Sequence, residues 1–361
     1  MSLNEAFKVI AHTRPEGRYK GAVIGCGRMG STIDDEHVGQ PSYIWPWAHA
    51  PAVIEARNID LVAASDSEPE RLVDFERRWS VNATYTDYRE MVEKEKPDLV
   101  CVATRPAPRA EIVTNLAEMG VPAVFATKPM CYSLKQADTM IDACKSNGTV
   151  LAIASHFNWY GYYDRVRELI KGGEIGALRS MICHHPHTLS NMHSHTFALF
   201  RLIADSPADW VFGHMDDEER ADSNQDLSGS GYIVYRNGIR AHLNSFSDRT
   251  RNSWTIEFIG EAGKIVSRIE HSEFELWGKH PETGELIERQ FPGPWHRRSS
   301  LVDAIEQICR CLESDETPLC PGEFGREALE LAIGMRESHR RGNTRVDLPL
   351  KDRTLKIEAF V

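Results

Sequence analysis

Residues 20–30 read Lys20-Gly-Ala-Val-Ile24-Gly25-Cys26-Gly27-Arg28-Met29-Gly30: a short apolar run feeding a G-x-G-x-x-G turn. Val, Ile and Ala in near-continuous succession are what a strand buried on both faces requires. Directly after such a strand, the first glycine permits a tight turn and the second lets the backbone approach a pyrophosphate. The third lets helix and strand pack closely, with the helix N-terminus facing the anion's charge. The spacing alone recurs by chance, so its surroundings decide. Working outward, Leu61–Ser65, Asp98–Ala103, Ala123–Ala126 and Val150–Ala154 repeat the apolar texture. Pro69–Trp79, Ala110–Met119 and Leu134–Ser146 lie between them, with apolar residues three and four apart. Ser133 is placed to cap the last of these helices and Asn147-Gly148 to stop it. Strand and helix in alternation predict βαβ units and a parallel sheet, a dinucleotide-binding domain over residues 19–155 preceded by an arm over residues 1–18.

Asp66 closes the second strand. A carboxylate there accepts hydrogen bonds from both ribose hydroxyls and repels a 2′-phosphate, and neither Ser67 nor Glu68 supplies a cation for that phosphate. Repulsion of roughly 1–4 kcal/mol at ~4 Å favours NAD over NADP by tenfold or more. A helix-capping Asp before Pro69 is the plainer alternative. Asp66 lies 36 residues beyond Gly30, against about 20 in the usual arrangement. The excess is Asp34–Ala50, with Tyr43, Trp45 and Trp47, to be read as a lid, a subunit arm or a surface loop.

Past residue 155 the texture changes. One helix, near Tyr162–Lys171, stops at Gly172-Gly173. Strand-like runs follow at Leu178–His184, Trp210–His214, Gly231–Tyr235, Gly238–Ser245, Trp254–Ile259, Lys264–Arg268 and Glu273–Trp277, with Asn237-Gly238 and Ala262-Gly263 as hairpin turns. Strands without helices between them predict a mostly antiparallel sheet. Helices near Ser300–Leu312 and Gly325–His339 close the chain. The expected fold class is α/β: an N-terminal Rossmann domain with a parallel sheet, then a C-terminal α/β domain over residues 156–361 with a large open sheet. Whether the C-terminal segment packs back on the first domain is left open.

Composition narrows the function. With 42 basic and 53 acidic residues the net charge is −11, which argues against nucleic acid or an anionic membrane as partner, since both need a positive field. No apolar run reaches the ~20 residues of a membrane helix. No signal peptide is expected from the first residues, and eight cysteines without a CxxC pair read as reduced thiols in the cytoplasm.

With Thr127-Lys128-Pro129 after the fifth strand, the glycine turn and Asp66, the chain resembles the glucose–fructose oxidoreductase and inositol dehydrogenase family (Gfo/Idh/MocA). Val102-Ala-Thr104-Arg105-Pro-Ala-Pro-Arg109-Ala-Glu-Ile resembles the family's loop near the nicotinamide. Val166-Arg-Glu-Leu-Ile-Lys-Gly-Gly-Glu-Ile-Gly176, Phe258-Ile-Gly-Glu-Ala-Gly263 and Val346-Asp-Leu-Pro-Leu350 resemble later signatures. The resemblance implies NAD as cofactor, held by Gly25, Cys26, Gly27, Arg28, Met29, Gly30, Asp66, Thr104, Arg105, Lys128 and Pro129. It gives Lys128 the family lysine's contacts to the nicotinamide ribose and the substrate hydroxyl, where a depressed lysine pKa suits proton exchange. Thr127 stands where the family has Glu.

In the family an Asp is followed four residues on by His near the substrate. Here Asn191 and His195 take those positions, and Ala198 replaces a further Asp. Asn cannot take up a proton, so His195 becomes the acceptor of the hydroxyl proton and Asn191 a substrate-orienting group. His156, Asn158, Trp159 and Tyr163 follow the sixth strand where relatives place substrate-facing residues. Amide and aromatic groups suit a carbohydrate, and interdomain core is the competing reading. His187 joins them. His184, His185, His187, His193 and His195 also raise a zinc site, but they show no ligand order and the lysine chemistry needs no metal. The expectation is therefore no metal. Trp295-His296-Arg297-Arg298 is a basic, aromatic loop without an assigned role.

The reading is an NAD-dependent dehydrogenase acting on a secondary alcohol or ketone of a sugar or polyol. The alternatives are an enzyme that retains and recycles its NAD and a non-catalytic NAD-binding regulator. A homodimer or homotetramer joined through the second domain's open sheet face is expected, because an exposed apolar sheet is normally a binding surface.

Overall fold

A computed structural model describes residues 19–40, 43–245, 254–268, 273–293 and 297–359. The arm at residues 1–18 and the loop residues Trp295 and His296 lie outside them. The described chain forms two compact units: residues 19–131, 136–159 and 298–325, and residues 132–135, 160–297 and 326–359.

The first unit is built on six strands: β1 (Tyr19–Ile24), β2 (Ile59–Ser65), β3 (Thr84–Tyr85), β4 (Leu99–Val102), β5 (Ala123–Thr127) and β6 (Val150–Ala154). All pair in parallel in the order β3-β2-β1-β4-β5-β6. This is the doubly wound order, with a crevice at the carboxyl ends of β1 and β4. Ala22, Val23, Val100, Cys101 and Phe125 have no exposure, as the apolar runs predict. The crossover helices are α1 (His49–Glu55), α2 (Pro69–Trp79), α3 (Tyr88–Glu95), α4 (Pro106–Glu118) and α5 (Leu134–Asn147). α3 and the two-residue β3 are too short and too polar for periodicity to reveal.

The helix after the glycine turn is broken. A turn of π-helix (Arg28–Thr32) and a 3-10 segment (Ile33–His37) lead into the outgrowth, and α1 resumes only at His49. Asp34 organises the described part. Its carboxylate, 2 % exposed, accepts from the Trp47 and Ala48 amides at 2.7 and 3.2 Å and from the Tyr43 hydroxyl at 3.4 Å. The described part of the outgrowth is thus fixed within the first unit.

The second unit carries nine strands in the order β14-β13-β12-β11-β7-β10-β9-β8-β15. They are β7 (Leu178–His184), β8 (Ala208–Met215), β9 (Gly229–Tyr235), β10 (Arg240–Asn244), β11 (Thr255–Gly260), β12 (Gly263–Arg268), β13 (Glu273–Lys279), β14 (Leu286–Arg289) and β15 (Val346–Asp347). Every pairing is antiparallel except β7 with β10. One register row, Val211-Ile233-Ala241-Met181-Phe258-Ile265, crosses six strands without any exposure. Helices α6 (Gly161–Lys171), α7 (His193–Ala204) and α9 (Gly322–Arg340, from Arg326 on) belong here. At Gly213 a Cβ would lie 2.5 Å from the Met335 backbone, so glycine lets α9 close onto the sheet.

Helix α8 (Ser300–Cys311) folds with the first unit, where its N-cap Ser299 donates to the Pro46 carbonyl. α7 is a helix that periodicity did not reveal.

Candidate active site

The glycine turn is built as its chemistry demands. Gly25 has φ +93°, and a Cβ there would lie 2.9 Å from the Ala103 carbonyl carbon and the Thr104 nitrogen. A Cβ on Gly30 would lie 1.8 Å from the Gly25 oxygen, so the third glycine sets how closely the helical turn meets the strand. Arg28 pairs with Glu36 through two bonds of 2.7 and 2.8 Å, Met29 is half-buried, and Cys26 is buried, its thiol pushed well up by burial first and by Asp66 second.

Asp66, 7 % exposed, accepts from the Cys26 amide at 2.8 Å on one oxygen and from the Glu68 amide at 3.0 Å on the other. The Arg71 guanidinium, half-exposed, stands 3.8 Å from the same carboxylate and 3.0 Å from Glu68. Arg71 escaped the sequence reading because it lies one helical turn into α2, beyond the residues that directly follow Asp66. A cleft of about 530 Å³ opens here, lined by Gly27, Ser31, Thr32, Arg71 and Phe75. The Thr104 hydroxyl, shielded and beside Gly25, has no hydrogen-bond partner among the described residues. Glycines that a Cβ would obstruct, a fixed carboxylate and a spare hydroxyl fit a dinucleotide.

At the end of β5, Lys128 sits between two carbonyls taken by one side chain. Arg109, 1 % exposed on α4, donates through Nη1 to the Thr127 carbonyl at 2.7 Å and also to the Pro129 carbonyl, and through Nη2 to the Thr104 carbonyl. Thr127 is buried, its hydroxyl donating to the Val102 carbonyl at 3.2 Å, while Arg105 is exposed at the N-cap of α4. Arg109 lies inside the Val102–Ile112 motif with no local rule of its own to mark it. Its signal is an arginine on the helix face shared by Pro106, Val113 and Leu116, three and four residues apart and all buried.

His156 lies in the same unit, its Nδ1 3.0 Å from the Ser300 hydroxyl and its ring 5.4 Å from Trp47. Burial first, then the charge of Lys128, pushes it down to about 3. Three residues read as substrate-facing or as interdomain core take partners in the interior of their own units. Asn158 donates to the Leu319 carbonyl at 2.9 Å and accepts from the Ser155 hydroxyl at 3.1 Å. Trp159 donates to Gln307 at 2.7 Å, and Tyr163 lies 3.3 Å from the Ser267 hydroxyl. Exposures of 1, 3 and 1 % agree. Amide and aromatic side chains after a buried strand are used here to satisfy and fill the core.

Asn191 and His195 belong to the second unit, on the loop entering α7. Asp226 fixes that loop, accepting from the Ser190 and Asn191 amides, both at 2.7 Å. It was missed, since a lone Asp in a polar run carries no sequence signal. His195 is 6 % exposed in the first turn of α7, its ring 6.3 Å from Trp254. His193 donates from Nε2 to the His185 carbonyl at 3.0 Å, and burial pushes it down to about 3. His185 stacks on Trp254 at 4.0 Å and is pushed down to about 4, by burial first and His187 second. His187 is half-buried, its Nδ1 accepting from the Thr188 amide at 2.9 Å, and His184 is exposed on the sheet. Among the described residues, no three His, Cys, Asp or Glu side chains converge to hold a metal ion.

Comparison with known proteins follows this geometry. The family model described as an oxidoreductase family with NAD-binding Rossmann fold matches residues 19–155, and the companion C-terminal alpha/beta domain matches residues 167–348. The D-apiose dehydrogenase of Paraburkholderia graminis is 29 % identical over 178 residues, 49 % of this chain but 43 % of that protein. The myo-inositol 2-dehydrogenase of Thermotoga maritima is 22 % identical over 344 residues, 88 % of this chain and 95 % of that one. A structure of an inositol dehydrogenase homolog from Azotobacter vinelandii with NADH and myo-inositol superposes with TM-score 0.73 at 17 % identity, covering 92 % of this chain and all of that one.

Proposed function

Since the chain belongs to the Gfo/Idh/MocA oxidoreductase family, with that family's NAD-binding Rossmann domain and C-terminal α/β domain, we propose that it oxidises a secondary alcohol of a sugar or polyol, or reduces the corresponding ketone. The observation that carries this reading is a lysine at the end of β5 in the same unit as the glycine turn and the Asp66 carboxylate. The relatives named for apiose and inositol supply the substrate class.

When bound, NAD takes up or returns the hydride. Asp66 orients the adenine-side ribose, and the Gly25–Gly30 backbone receives the pyrophosphate. Lys128 holds its Nζ as hydrogen-bond donor to the substrate hydroxyl and exchanges its proton. His195 accepts the hydroxyl proton, and Asn191, unable to change protonation, orients the substrate. The protein works in the cytoplasm as a homo-oligomer. The test is a panel of polyols, aldoses and glycosides with NAD, read by NADH formation. Accumulating NADH with at least one polyol or aldose is expected. Tight NAD binding without turnover on any of them would overturn the reading.

A further inference from the structure

One arginine and two strand-end loops meet beneath Lys128. The carbonyls of Thr127 and Pro129 bracket the lysine along the chain, and both accept from the same Nη1 of Arg109, while Nη2 reaches the Thr104 carbonyl at the end of β4. Three acceptors converge on a buried point. A neutral side chain offers too few donors for them, and a lysine offers a point charge where a planar fork is needed to span two loops. Holding the carbonyls on either side of a residue fixes its Cα and the direction of its Cβ, so the Lys128 stem leaves the backbone in one direction. His49 completes the arrangement. It is fully buried, its ring 5.3 Å from Phe125, and among the described residues neither ring nitrogen has a hydrogen-bond partner. Burial first, and the charge of Arg109 second, pushes it down to about 3. A neutral imidazole therefore lies within reach of the guanidinium's charge.

We propose that Arg109 is the positioning residue of Lys128, joining the β4 and β5 loops so that the lysine's ammonium is held in one place. This rests on the reading of Lys128 as the proton-exchanging group, but its test does not require turnover. The intact chain is acetylated with trace acetic anhydride from pH 6 to 11, and the Lys128 peptide is read by mass spectrometry. Lys145, whose side chain is 64 % exposed, serves as internal reference.

In Arg109→Ala, the Lys128 profile is expected to move by at least threefold in rate near pH 8 relative to Lys145. Guanidinium chloride at about 20 mM, supplying the missing fork, should return it toward the native profile, as a general loosening would not allow. Arg109→Lys should shift the profile in the same direction without rescue, and it carries the test if the alanine variant does not fold. A Lys128 profile unchanged in either folded variant overturns the proposal. So does a change shared by all lysines that guanidinium fails to reverse. Lys128→Met retaining full activity would instead sink the catalytic reading and leave the labelling result standing.

Discussion

Asp66 commits both carboxylate oxygens to the chain, to the amides of Cys26 and Glu68. The charge is thereby fixed against the glycine turn before any ligand arrives, and this preorganisation is what makes it discriminate. Arg71, 3.8 Å away, works against the sequence argument for NAD, because removing the carboxylate frees a cation for a 2′-phosphate. The native chain should bind NADH at least tenfold more tightly than NADPH by fluorescence titration. Asp66→Ala should narrow that gap, and Asp66→Ala/Arg71→Ala should lose the NADPH affinity so gained. Equal affinities in the native chain would remove the ribose argument. Lys128→Ala and His195→Ala should each keep NADH binding and lose about 100-fold or more in kcat, the scale of one acid–base group. Near-full activity in either would strip that residue of its role. The glycines, Asp66 and Lys128 were legible because each obeys a local rule of turn, strand end or motif. Arg109, Arg71 and Asp226 were not, since their partners are backbone groups or carboxylates that only folding brings close.

Element by element, most strands of both sheets were legible from their apolar runs and hairpin turns, and helix α2 from its apolar period behind Pro69, whereas the short edge strands β3, β14 and β15 carry too few apolar residues to show. The outgrowth was not legible either. Its length could be counted, but its fixing point is Asp34, a buried carboxylate whose value lies in contacts to Trp47, Ala48 and Tyr43. Burial holds its pKa above the usual carboxylate range, and the contacts from Trp47, Ala48 and Tyr43 offset only part of that rise. Asp34→Ala leaves two amides without an acceptor, at roughly 1–3 kcal/mol each. Thermal unfolding should move several degrees lower, with new proteolytic cleavage near residues 43–48. An unchanged unfolding temperature would mean that the aromatic contact of Tyr43 with Trp47, at 3.9 Å, holds the outgrowth unaided.

Across the whole molecule, two properties follow from burial. His49, His156 and His193 sit at about 3 and His185 at about 4, in each case chiefly because burial disfavours the charged ring. The unfolded chain takes protons at these positions below about pH 6.5, whereas the folded chain does not. Their contribution is therefore complete above that pH and is lost as pH falls toward 4 and 3, by at most ~1.4 kcal/mol per pH unit for each group. The urea midpoint should decline from pH 6.5 downward, above the range where carboxylates titrate. A midpoint level to pH 5 would show these rings protonated in the folded chain.

The second property is assembly. With α8 assigned to the first unit, α6, α7 and α9 are the helices of the nine-stranded sheet. The register places Phe212, Tyr232 and His242 beside Ile182 in one row, and Trp210 and Val234 share their face. None of these is buried, and Phe212 is 37 % exposed. A row of aromatic and branched side chains left in water is a surface that self-association by a two-fold axis would cover. Light scattering at micromolar concentration should give two or four times the mass of the 361-residue chain, and Phe212→Glu with Tyr232→Glu should reduce it to the single-chain mass. A clean monomer in the native protein would mean that this face stays in water, and the proposed assembly through the sheet would have to be abandoned.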